Sequence, residues 1–277
     1  HQVFSGPPGT NWYTDYLESG YDVRGILGQW GHDYPDQWQK HDDIDSGYGG
    51  EAFQNMTRWD WAQDLFEWFE YYLQNRGEKP ELTAQIQRND GQWRIEEVWP
   101  PQDTELLLLD LGDCDYDGSF VGGGAPVVGG GQTVTIDCLD INLDRELHIS
   151  GLVTAHLTAI PSFDGGQIFI EMQDGETGLR IGHATMDIRY HTGGSDPQTV
   201  IPGQEVIMMM EFQGIDALIP QGNGLRFVLS DTGEDYLAPA CGTACTVHVL
   251  PSLSEVTLPL VDRSSAPILT VPNPIEE

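Results

Sequence analysis

Gly25-Ile26-Leu27-Gly28-Gln29-Trp30-Gly31-His32-Asp33-Tyr34-Pro35-Asp36 is the stretch that decides how the first third of the chain folds. Its opening residues continue an apolar run from Tyr21 that is too short for a helix and reads as a buried strand. The remainder, with Gly31, Pro35 and two Asp, reads as a turn. Upstream, Trp12, Tyr13, Tyr16 and Leu17 have helical spacing within 11–18, and Ser19-Gly20 stops that helix. Downstream of a polar, Gly-rich segment (42–50), a long helix is expected over 58–76. Thr57 can cap it, Asp60 stands at the capping-box position, and Gly77 with Pro80 closes it. Ala62, Leu65, Phe66, Phe69, Tyr72 and Leu73 line one face of this helix, the stripe needed for packing on a sheet. The strand 25–28 has no partner strand within the first eighty residues, so its edges call for one supplied from elsewhere.

The character of the sequence changes at Pro80. Short alternating segments separated by Gly, Pro, Asn and Asp follow, at 83–87, 93–98, 133–136, 146–149, 153–160, 167–171, 181–190, 205–212, 225–229, 246–249 and 255–258. Strands of this length with irregular turns predict an all-β sandwich of jelly-roll type. The stretch 117–131 is glycine-rich and reads as a loop. The Met208-Met209-Met210 run lies in a strand and reads as core, and the tail after Leu260 reads as extended surface chain. The expected division is therefore 1–79, a helical and strand segment; 80–261, the β-sandwich; and 262–277, the tail.

Composition narrows the function. The 277 residues carry 44 Asp and Glu against 12 Lys and Arg, a formal net charge of −32. With no basic run, binding a polyanion by phosphate neutralisation is excluded. An acidic surface of this kind suits a protein outside the cell or in high salt. No apolar stretch approaches the roughly 20 residues of a membrane span. The chain opens on His1 without Met or leader, which reads as removal of a preceding segment.

Cys114, Cys138, Cys241 and Cys245 are even in number, and proximity favours the pairs Cys114–Cys138 and Cys241–Cys245 among three possible connectivities. Zinc needs two close ligand pairs, and the spacing supplies one. Asp113, Asp115 and Asp117, followed by Gly118, have the alternate spacing of the first half of a calcium loop, although the twelfth position is Gly124 instead of Glu. Calcium is thus the one candidate metal. His148, His156, His183, His191 and His248 are scattered and read as structural.

In order along the chain, Ile26-Leu-Gly-Gln-Trp-Gly-His32-Asp-Tyr-Pro35, the aromatic-rich helix 58–73, Gln92-Trp93-Arg94…Val98-Trp99-Pro100-Pro101, Glu146-Leu-His-Ile-Ser-Gly151, Val200-Ile-Pro-Gly203 and 219–230 resemble segments of the X-prolyl dipeptidyl-peptidase and cocaine-esterase family of serine hydrolases. The resemblance implies a mainly β chain. It would comprise a galactose-binding-like jelly roll preceded by the C-terminal remnant of an α/β-hydrolase domain. It also implies a Ser–Asp–His triad in which His32 is general base and then general acid, an imidazole whose ordinary pKa of about 6.5 suits both roles. Trp30 and Tyr34 flank it in sequence, a position that suits either lining a substrate pocket or packing against the catalytic core. No Gly-x-Ser-x-Gly elbow occurs here, and Asp15 falls inside a helical segment. Serine and aspartate would therefore lie in an upstream hydrolase portion, the expected partner, with a peptide or ester as substrate and no cofactor for catalysis. By itself the chain would be inactive. Two readings from other classes compete: a carbohydrate-binding jelly roll, and an assembly module making homo-oligomer contacts. Neither accounts for the strand, the Gly-His turn and the helix that follows.

Overall fold

The computed structural model describes residues 9–28, 58–120, 126–138, 146–233 and 245–271. The chain divides into two compact units, one drawn from His1–Thr104, Asp216–Leu218 and Val261–Glu277, the other from Glu105–Ile215 and Ile219–Leu260. This division follows contacts along the chain and falls at Thr104–Glu105, whereas composition divides the sequence at 79.

The first unit begins with helix α1 (Gly9–Glu18), which ends where Gly20 adopts φ +79° and its N–H reaches the Leu17 carbonyl. Strand β1 (Gly25–Leu27) follows, then helix α2 (Trp61–Gln74), β2 (Ala84–Gln87) and β3 (Trp93–Glu96). The last strand of the chain, β17 (Ile268–Leu269), closes a four-stranded sheet in the order β1-β2-β3-β17. Strand β1 runs parallel to β2, with Gly25, Ile26 and Leu27 facing Ala84, Gln85 and Ile86; the other two pairings are antiparallel. The partner strand that the first eighty residues lacked therefore comes from just beyond them, on one edge of β1. Helix α2 ends on Asn75, in the left-handed region at φ 54°, two residues before Gly77, the glycine expected to close it. Asp60 makes no capping hydrogen bond, since its carboxylate is engaged by Arg58. Thr57 lies outside the described residues. The tail is not free surface chain: β17 pairs with β3, and Arg263 donates to both Glu96 and Asp103.

The second unit is built from β4 (Glu105–Asp110), β5 (Asp115–Phe120), β6 (Pro126–Val128), β7 (Val134–Cys138), β8 (Leu147–Gly151), β9 (Thr154–Pro161), β10 (Gln167–Asp174), β11 (Arg180–Asp187), β12 (Val206–Glu211), β14 (Leu225–Ser230), β15 (Val247–Val249) and β16 (Glu255–Leu260), with β13 (Ile215–Ile219) at its margin. Its ladders are antiparallel, running β11-β10-β14-β7-β5 and on through β6, β15, β9 and β16. Period-2 alternation puts one residue set inward: Ile136, Ile168, Ile170, Leu157, Met208, Phe212, Phe227, Leu229, Val256 and Leu258 are fully or almost fully buried. Met209 points the other way and is exposed, so only its two neighbours in the methionine run are core.

Two strands, β5 and β6, form where a loop was expected. Glycine and aspartate are poor strand formers, yet β7 supplies partners to the first four residues of β5, with Asp115 opposite Asp137 and Gly118 opposite Val134, and β6 to the last two. Strand β4, an unalternating Leu run, pairs along its length with β16. Cys114 and Cys138 are disulfide-bonded, 24 residues apart in sequence, and Cys245 is also in a disulfide; Cys241 lies outside the described residues.

Candidate functional site

The strand and helix that flank 29–57 are the candidate site's described frame. Strand β1 is held against α1 by close packing: a Cβ on Gly25 would stand 3.0 Å from Tyr13 Cε2, so the position admits little beyond glycine. Tyr13 is buried, and that burial pushes its phenol up against a hydrogen bond with the Trp99 backbone. On its other edge β1 has no partner strand among the described residues.

Helix α2 runs antiparallel to β1. Arg24, one residue before the strand, pairs with Asp64 in the first turn of the helix at 3.2 Å, while Asp22 accepts from Tyr72 in the last turn at 2.7 Å and pairs with Lys79 at 2.9 Å. Burial of the Tyr72 hydroxyl and its bond to Asp22 push that phenol up to about 12. Arg58 is 1% exposed, with its guanidinium 4.9 Å above the Trp93 ring. Its Nε and Nη2 donate to the two oxygens of Asp60, and Nη2 lies 3.7 Å from Asp64. Burial acts to raise both aspartates. At Asp60 the bonds from Arg58 more than offset it and hold the carboxyl below its ordinary value; at Asp64 burial prevails and pushes it up.

The apolar face expected on the helix is present but uncovered. No residue of α2 is buried, and Phe66, Phe69 and Leu73 are 53%, 46% and 76% exposed. A helix with such a face lies on a core in finished domains, so the frame is a parallel edge strand plus a helix with its packing face open.

No protein-family model matches the chain. A curated Streptomyces avermitilis protein, provisionally named an Xaa-Pro dipeptidyl-peptidase, is 21% identical over 280 residues, covering 76% of this chain and 41% of that one. The crystal structure of an aminopeptidase from a marine sediment Thaumarchaeota archaeon superposes with a TM-score of 0.60 at 11% identity, over 91% of this chain and 52% of its own. A CocE/NonD family hydrolase from Staphylococcus aureus does so at 0.54 and 10%, over 76% and 47%. The chain is similar to X-prolyl dipeptidyl-peptidase and cocaine-esterase-type hydrolases. It corresponds to a C-terminal portion of such proteins and spans about two fifths of the curated relative's length.

Within this hydrolase family frame, the structure places the sequence-predicted residues as follows. His32, Trp30 and Tyr34 lie outside the described residues, between Gly28 and Arg58. Asp15 sits in α1, on a helix as expected. The three aspartates of the calcium reading lie on two different elements. Asp113 belongs to the 3-10 turn Leu111–Asp113, whereas Asp115 and Asp117 lie on β5, where extended backbone replaces the tight loop that a cation needs. Asp115 faces Asp137, whose carboxylate is taken by Arg226 at 2.5 Å. Among the described residues no three His, Cys, Asp or Glu side chains come together to hold a metal ion. Among the described residues no helix is long and apolar enough to cross a membrane.

Sequence reasoning missed the cluster of Arg24, Arg58, Asp60 and Asp64. One signal was available: arginine is scarce in this acidic chain, and two of the ten stand at the two ends of the segment that holds His32.

Proposed function

We propose that this chain is the C-terminal part of a secreted serine hydrolase, an X-Pro dipeptidyl-peptidase or a related esterase or amidase, with His32 as its triad histidine. Serine and aspartate are carried by an α/β-hydrolase portion upstream, and the second unit forms a galactose-binding-like jelly roll. The observation that carries the reading is the frame itself. Strand β1, parallel to β2 and with no partner on its other edge among the described residues, and an antiparallel helix with an exposed apolar face support reading this frame as the end of a hydrolase sheet, with Gly31-His32 in the sequence between them. An upstream portion would cover that face and pair the edge of β1, and the match to the curated relative spans 41% of its length.

In this mechanism His32 takes the proton from the serine hydroxyl as it attacks the scissile carbonyl and returns it to the leaving amine or alcohol; a water then repeats the cycle on the acyl-enzyme. The Cys114–Cys138 disulfide fits an oxidising compartment, and the acidic surface fits high salt. The test uses the complete protein from the gene. His32→Gln should abolish labelling by a serine-directed phosphonate and lower hydrolysis of Xaa-Pro and ester substrates by about 10³-fold or more, and the 277-residue chain should not label. Stoichiometric labelling of that chain, or an active His32→Gln protein, overturns the proposal.

A further inference from the structure

Around the first turn of α2, several buried polar atoms have no partner. Arg58 spends Nε and Nη2 on Asp60 and its face on Trp93, which leaves Nη1 buried and unpaired. Among the described residues Arg24 Nε and Trp59 Nε1 are buried donors in the same condition, and Gln85 Oε1 and Asp64 Oδ2 are buried acceptors in it. Native structures leave few such groups, and each asks for an explanation. These belong to one neighbourhood. Both arginines lie within 4 Å of the same Asp64 oxygen, at 3.2 and 3.7 Å. Gln85 pairs with Ile26 of β1, and by register it shares a sheet face with Trp93, the ring under Arg58.

Charge decides what kind of group completes the cluster. Two guanidinium groups already face two carboxylates, Asp60 and Asp64. An incoming carboxylate would bury an uncompensated negative charge, and an incoming lysine a positive one. Neutral oxygens satisfy the three donors without disturbing that balance, and a backbone brings N–H groups for Gln85 as well. Strand β1, with Arg24 at its start, has an open edge on which such a backbone can lie.

We propose that this cluster is the docking seat for a main-chain segment of the upstream portion of the same protein, whose carbonyl oxygens accept from Arg24 Nε, Arg58 Nη1 and Trp59 Nε1. The inference rests on the hydrolase reading above, which supplies the upstream portion, and goes beyond it by naming the seat and its chemistry.

The test is amide hydrogen exchange on the complete protein. Trp59→Phe keeps an aromatic ring but removes the unpaired N–H together with part of the indole, so exchange across 25–28 should quicken by about tenfold, with β9 unchanged as a check on folding. Arg58→Met should do the same or more. Unchanged exchange at 25–28 in a folded Trp59→Phe protein overturns the proposal. So does a structure of the complete protein in which water or residues 29–57 meet these donors. Phosphonate labelling of the same samples separates the two ideas: a labelled protein with unchanged exchange defeats the docking seat alone, and an unlabelled wild type defeats the hydrolase reading beneath it.

Discussion

The two units of this chain differ in how completely they satisfy themselves. In the second, inward side chains from β7, β9, β10, β12, β14 and β16 are sealed from water, and its ladders run through most of the strands. In the first, α2 buries nothing, Phe66, Phe69 and Leu73 face water, and Arg24, Arg58, Trp59 and Gln85 keep buried polar atoms unpaired. Both are made of ordinary apolar and polar residues in good local patterns. The contrast shows that a well-patterned segment becomes a finished domain only when the other half of each contact is present. Among the described residues the second unit carries most of its own partners, whereas the first leaves one edge of β1 and the apolar face of α2 without them.

The sharpest way to break this comparison is to truncate one large side chain in each unit. Phe227→Ala should destabilise the second unit by about 3–5 kcal/mol, since the ring is fully buried. Phe69→Ala in the same chain should change stability by no more than about 0.5 kcal/mol. Denaturant titration of the two variants checks this, and equal losses would show that α2 is already covered. In the complete protein Phe69→Ala should become costly, which sharpens the contrast.

A smaller effect is expected from replacing Cys114 and Cys138 by Ser. The bridge closes 24 residues of the second unit, so its loss should lower stability by about 3 kcal/mol. Unfolding followed at the first unit should stay put. A joint shift of both transitions would mean that the units unfold as one.

The smallest expected effect is local. Arg263 donates to Glu96 and Asp103, and the bond from Arg263 holds the Asp103 carboxyl below its ordinary value. A depressed carboxylate stabilises above its unfolded pKa, about 4, and that contribution is lost as pH falls through the lower folded value. Exchange at 268–269 should therefore quicken in acid below about pH 4, and at neutral pH in Arg263→Met, while β9 stays protected. Uniform acid loosening of both units would contradict it.

Much of the β unit was legible before the structure, because period-2 alternation in segments such as 225–229 and 255–258 has one simple outcome, a strand with one face buried. Strands β4, β5 and β6 were not legible. An unbroken Leu run carries no alternation, and Asp- and Gly-rich chain becomes extended only because β16 and β7 offer it partners. The same limit hid the fact that residues 84–87 join the first unit, since a parallel pair formed across sixty residues leaves no local mark.

For the candidate site, the strand ending before Gly31-His32 and the striped helix after it were determined by the sequence alone, through short-range periodicity and helix-stopping residues. The pairing of Arg24 with Asp64, the stacking of Arg58 on Trp93, and the open edge and face beside them were decided only by tertiary structure. These depend on which distant residues share a surface, and on which contacts the chain leaves for another segment to fill.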